Sequence, residues 1–83
     1  MHTVEIEVPD EIFVSLKETP LEFTRELRLA AAAKLYELGK LSSGRAAELA
    51  GVSRLSFLHV LARYGVPLFN LTEAELIQDI HNA

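Results

Sequence analysis

The chain of 83 residues predicts one mainly α-helical domain: an N-terminal β-strand followed by about five helices, two of which form a helix-turn-helix. Three observations predict this. Thr19–Glu22 and Thr72–Glu75 each place a threonine cap three residues ahead of a glutamate, the signature of a helix start. Residues 41–65, LSSGRAAELAGVSRLSFLHVLARYG, divide at Gly51 into two short stretches of helical periodicity. Residues 3–8 alternate apolar and polar side chains with the period of a strand.

In the arm, residues 1–9, Val4, Ile6 and Val8 share one face and Thr3, Glu5 and Glu7 the other, until Pro9 ends the strand. A lone strand leaves its backbone donors and acceptors unpaired. The nearest matching edge is the same strand of a second copy, so the arm predicts an antiparallel ribbon and a homodimer.

Residues 10–40 read as scaffold. Asp10 caps a short helix to about Lys17, striped by Ile12, Phe13 and Leu16. Thr19 as N-cap, Pro20 at the first helical position and Glu22 then open a longer helix, which Gly39 stops after about Leu38. Phe23, Leu27, Ala31, Leu35 and Leu38 are its expected buried stripe, and the run Ala30–Ala33 lets a neighbouring helix approach closely.

In residues 41–65, Ser42 is the N-cap of a first helix with a small face of Ala46, Ala47 and Ala50. Gly51 stands where the chain reverses and a left-handed backbone disfavours any Cβ. Val52 tucks under the turn, and Ser53 caps a second helix with Phe57, Val60, Leu61 and Tyr64 facing inward. Gly65 ends that helix and Pro67 keeps the chain extended. The acidic segment 66–83 then carries a last short helix with Leu76, Ile77 and Ile80 on it.

Composition narrows the function classes. An apolar fraction of 49% is ordinary for a globular chain. At this length roughly 60–65% of the unfolded surface can be buried, so stability is modest without a partner. The absence of cysteine removes disulfides, thiolate nucleophiles and cysteine zinc sites. No run reaches the roughly 18 apolar residues of a membrane span, which points to the cytoplasm and to no membrane partner. His2, His59 and His81 are far apart and share no metal-ligand spacing, and no glycine-rich phosphate loop follows a strand. The chain therefore predicts no enzyme, no metal and no cofactor. The net charge of −4 is uneven: −5 over residues 1–22, +4 over 23–64 and −3 over 65–83. Positive charge gathers around the helix-turn-helix, where phosphate attraction acts locally.

In a helix-turn-helix the exposed side of the second helix enters the major groove. That nominates Ser53, Arg54, Ser56 and His59 for base edges and Arg63 for the backbone, with Arg54 foremost because a guanidinium bonds a guanine edge bidentately. Ser43 and Arg45 are the expected phosphate contacts of the first helix. Leu55 and Leu58 fall where a DNA reader is usually polar and point to a surface covered by protein. Glu5 and Glu7 would repel phosphates, so the arm is a pairing element and not a reader.

The run GRAAELAGVSRLSFLHVLARYGVPL, with YELGKLS before it, VEIEVPDEI at the N-terminus and LTEAELIQDI at the C-terminus, resembles small prokaryotic proteins of uncharacterised protein family 0175. Members are predicted type II antitoxins with a helix-turn-helix. The likeness covers nearly the whole chain, its AAELAG-x-S-R-x-x-F core being most specific. In that family an aromatic often stands at the place of Leu55 and an acidic residue at that of Ser56, and this chain departs at both. The resemblance implies a protein that neutralises a toxin, often a PIN-like nuclease, and represses its own operon. By position it implies Ser53 and Arg54 on the DNA-reading helix and Leu76, Ile77 and Ile80 on the toxin-contacting segment. Two alternatives stay open: a stand-alone transcriptional regulator, or a protein-interaction module with a purely structural helix-turn-helix.

Overall fold

The computed structural model describes residues 1–68. Among them it contains four helices, α1 (Asp10–Leu16), α2 (Pro20–Glu37), α3 (Ser43–Ala50) and α4 (Arg54–Arg63), and no strand. The expected N-terminal strand and dimer ribbon are thus corrected: residues 1–9 take no regular secondary structure. Alternation in sequence makes a strand only where another edge completes the ladder, and no described segment offers one. The arm instead borders a groove of about 350 Å³ with Val4, Ile6 and Val8 on one side and Phe13, Phe23 and Leu27 on the other. The expected fifth helix, with Leu76, Ile77 and Ile80, lies outside the described residues.

α1 starts one residue earlier than its predicted cap implies. Pro9 holds the N-cap position without a side-chain bond, and Asp10 is the first helical residue. The helix buries none of its residues and ends at Lys17, a left-handed non-glycine residue with φ 57°. Phe13 meets Phe23 of α2 edge-on, with ring centroids 5.3 Å apart.

α2 begins as its sequence dictates. Thr19 Oγ1 accepts from the Glu22 N–H at 3.2 Å, and Glu22 Oε1 accepts from the Thr19 N–H at 2.9 Å. These bonds hold the Glu22 carboxyl below its usual range. The buried face differs from the expected stripe: Ala32, Ala33 and Tyr36 are buried, while Leu27 and Leu38 are exposed. The packing partner follows the alanine run, because only small side chains let α3 lie close against α2.

The core is where α2, α3 and α4 meet. Ala32, Ala33 and Tyr36 pack with Ala46, Ala47 and Ala50 of α3 and with Phe57, Leu58 and Leu61 of α4. Leu29, Leu41, Val52 and Val66 close its edge. The Tyr36 and Phe57 rings are both fully buried and meet edge-to-face at 6.2 Å and 86°. Fully burying side chains such as Phe57 and Leu61 contributes roughly 1.5–3 kcal/mol each. Tyr64, expected inward, is 47% exposed because α4 ends at Arg63 and the chain turns away at Gly65.

Candidate nucleic-acid interface

The α3–α4 pair is built from short-range chemistry. Ser42 caps α3 by accepting from the Arg45 N–H at 3.2 Å. Gly51 takes φ 76° at the other end, where its N–H reaches the Ala47 carbonyl at 2.9 Å and the Val52 N–H reaches the same carbonyl at 3.1 Å. Ser53 then caps α4, accepting from the Ser56 N–H at 3.1 Å. Three residues therefore separate the helices and set the direction of α4.

Two arginines grip α3 from its neighbours. Arg28 of α2 donates from Nε to the Leu49 carbonyl at 2.7 Å, a cation at the negative end of α3. Its Nη2 lies 3.1 Å from where a Cβ on Gly51 would sit. At the opposite end, the Arg54 guanidinium lies over Gly44, with Nη2 2.6 Å from the position of a Cβ there. Glycine at both positions leaves room for a guanidinium.

This placement revises several expected contacts. Ser43, nominated for phosphate, is fully buried on the inner face of α3, and its hydroxyl has no hydrogen-bond partner. Arg45 is exposed but forms an ion pair with Glu48 at 3.1 Å, a solvated contact of low energy. The Ser53 hydroxyl is used twice, in the cap and in donating to Ser56 Oγ at 2.9 Å. Arg54 is half-buried against Gly44 instead of projecting from α4. Leu58, expected on a partner surface, belongs to the core with 7% exposure. Its neighbour Leu55 is 37% exposed.

The outward side of α4 is nevertheless well defined. At about 100° per residue, Leu55, Ser56, His59, Ala62 and Arg63 share one arc, and all five are exposed. His59 lies in its middle, with Leu55 and Ala62 along one edge and Ser56 and Arg63 along the other. The structure brings Ser56, His59 and Arg63 together on this face and removes Ser43 and Leu58 from the surface. Sequence reading missed Arg28 and Gly44, since no local pattern marks residues whose partners are ten or more positions away.

A second feature lies at the junction of α1 and α2. Glu18 is half-buried and its Oε1 is shielded from water without a donor. A side-chain hydrogen bond with Glu26, together with desolvation and the charges of Glu26 and Glu22, raises its pKa. Among the described residues no group of histidines, cysteines and carboxylates is placed to hold a metal ion. No helix of the described residues is long and apolar enough to cross a membrane.

The description "Uncharacterised protein family (UPF0175)" matches residues 1–83. The chain is 42% identical over 78 residues to a UPF0175 protein of Aeropyrum pernix, covering 94% of this chain and 82% of that relative. It is 43% identical over 72 residues to a UPF0175 protein of Archaeoglobus fulgidus, covering 87% and 79% respectively. No solved structure matches the chain.

Proposed function

The chain belongs to the uncharacterised protein family UPF0175, and we propose that it is a DNA-binding antitoxin-type regulator. α3 and α4 form its helix-turn-helix, α4 enters the major groove, and segment 66–83 binds and neutralises a PIN-like toxin. The observation that carries the DNA reading is the outward arc of α4, where Ser56, His59 and Arg63 stand exposed beyond a three-residue turn capped at both sides. The positive balance of residues 23–64 supports it. The acidic, apolar-striped C-terminal sequence supports the toxin reading, since such a segment complements a basic nuclease cleft. The protein acts as a pair of chains, which gives two α4 helices for two half-sites. Exposed Val4, Ile6, Val14 and Leu21 favour association through side chains of the N-terminal part.

The test is selection of duplexes from a random-sequence pool by the full chain, followed by anisotropy titrations at several salt concentrations. DNA reading predicts an enriched motif and a linear fall of log affinity with log salt. Recovery of random sequence would refute it. For the partner, inhibition of a PIN-like nuclease by the full chain, lost on deletion of residues 71–83, is the expected result.

A further inference from the structure

Resting on the reading of α4 as the recognition helix, we propose that Leu55 reads the 5-methyl group of a thymine, so that the first turn of α4 adds an apolar contact to DNA recognition. Two polar side chains of that turn, Ser53 and Arg54, are engaged within the protein. Ser53 Oγ caps the helix and donates to Ser56 Oγ at 2.9 Å. Arg54, the residue best suited by chemistry to a guanine edge, is half-buried with its guanidinium over Gly44. Leu55, the second residue of the helix, is the apolar side chain this end presents, with 37% of its surface open.

Position adds to chemistry. Residues near the N-terminus of a recognition helix come closest to base edges. The major groove displays one apolar feature, the thymine methyl, and an aliphatic side chain is its natural complement. Leu58, three residues on, lies in the core, so the outward apolar character of this turn belongs to Leu55. On the same edge, two helical turns further, Ala62 is also exposed but too short to reach deeply. The polar contributions then come from the middle and opposite edge of the arc, through His59, Ser56 and Arg63. Recognition would thus be ordered along the helix, apolar at its start and cationic toward its end.

Deoxyuridine differs from thymidine only by the missing methyl, and so isolates this contact. A duplex selected by the full chain would be resynthesised with each thymine replaced in turn by deoxyuridine, and titrated with wild type and with Leu55→Ser. A lost methyl contact is worth about a fourfold change in affinity. At one thymine per half-site, wild type should weaken by about that factor, while Leu55→Ser should bind the two duplexes equally. An unchanged melting curve for Leu55→Ser separates this from misfolding. A selected duplex with no uracil-sensitive position, or a Leu55→Ser profile identical to wild type, would overturn the role of Leu55 while leaving DNA binding intact. Failure to select any sequence would overturn both.

Discussion

Arg54 Nη2 lies 2.6 Å from the place a Cβ would occupy on Gly44, so α4 and α3 meet through a guanidinium laid on a bare backbone. The contact joins the first turn of the second helix to the first turn of the helix before it. It converts the residue most suggestive of base recognition into one that holds the two helices at their angle.

Gly44→Ala tests this directly. The methyl must displace the end of a flexible side chain, not backbone, and alanine is favoured over glycine within a helix by about 1 kcal/mol. Stability by urea unfolding should therefore change by no more than about 1 kcal/mol in either direction. The NMR signal of the Arg54 Nε–H should shift markedly as the guanidinium leaves its seat. An unmoved signal would show that the contact is not made in solution.

Gly51→Ala should behave differently. Its φ of 76° lies in the left-handed region, and its Cβ would come within 3.1 Å of Arg28 Nη2. The backbone cost alone is about 1–2 kcal/mol, and loss of the Arg28 bond to the Leu49 carbonyl adds to it. Arg28→Ala should destabilise by about 1 kcal/mol. The double variant should lose less than the two single losses together, because both disturb the same contact.

These two glycines show what was legible in the sequence and what was not. Caps and stops are local, so Thr19 with Glu22, Ser42, Gly51 and Ser53 were readable before any fold was known, and each makes the expected bond or bend. The partners of Gly44 and Gly51 come from other helices, and nothing in their neighbourhood announces an arginine. The phase of a buried stripe is also a tertiary property. Ala32, Ala33 and Tyr36 are buried in place of Leu27 and Leu38 because α3 docks on the alanines. Leu58 and Leu55 both read as outward in the sequence, yet their three-residue separation carries Leu58 toward the face of Phe57 and Leu61. The arm reads as a strand because alternation records a preference, and pairing requires a second edge.

Ser43→Ala should stabilise the protein. The hydroxyl is fully buried and unpartnered, so folding strips its hydration without replacing the hydrogen bonds. Relief of that burden is worth about 1 kcal/mol, seen as a higher urea midpoint with unchanged slope. A destabilised variant would reveal a partner for the hydroxyl in solution.

The α1–α2 junction predicts a pH dependence of defined sign. Glu18 has a raised pKa, chiefly through its side-chain hydrogen bond with Glu26 and its desolvation. Its contribution to stability is complete below its unfolded pKa and is lost as pH rises through the raised folded value. Glu22 runs the other way: its lowered pKa gives a contribution present at neutral pH and lost as pH falls through the folded value. Glu18→Gln keeps a donor at all pH values, so thermal melts should lose the decline from the glutamate range upward, while the acid-side loss remains. A variant with the wild-type profile would remove Glu18 from the explanation.

The most direct test of DNA recognition through α4 is a titration of labelled DNA from upstream of the gene with the full chain at two salt concentrations, comparing wild type with His59→Ala, Arg63→Ala and Arg54→Ala. DNA recognition predicts sequence-selective binding that weakens with salt, with His59→Ala reducing the preference for upstream over unrelated DNA and Arg63→Ala weakening all duplexes alike. Arg54→Ala should lower stability along with affinity, since its seat is Gly44. Binding no stronger to upstream than to unrelated DNA, or affinities unchanged by both outward substitutions, would contradict it and leave α3 and α4 as scaffold for a protein partner.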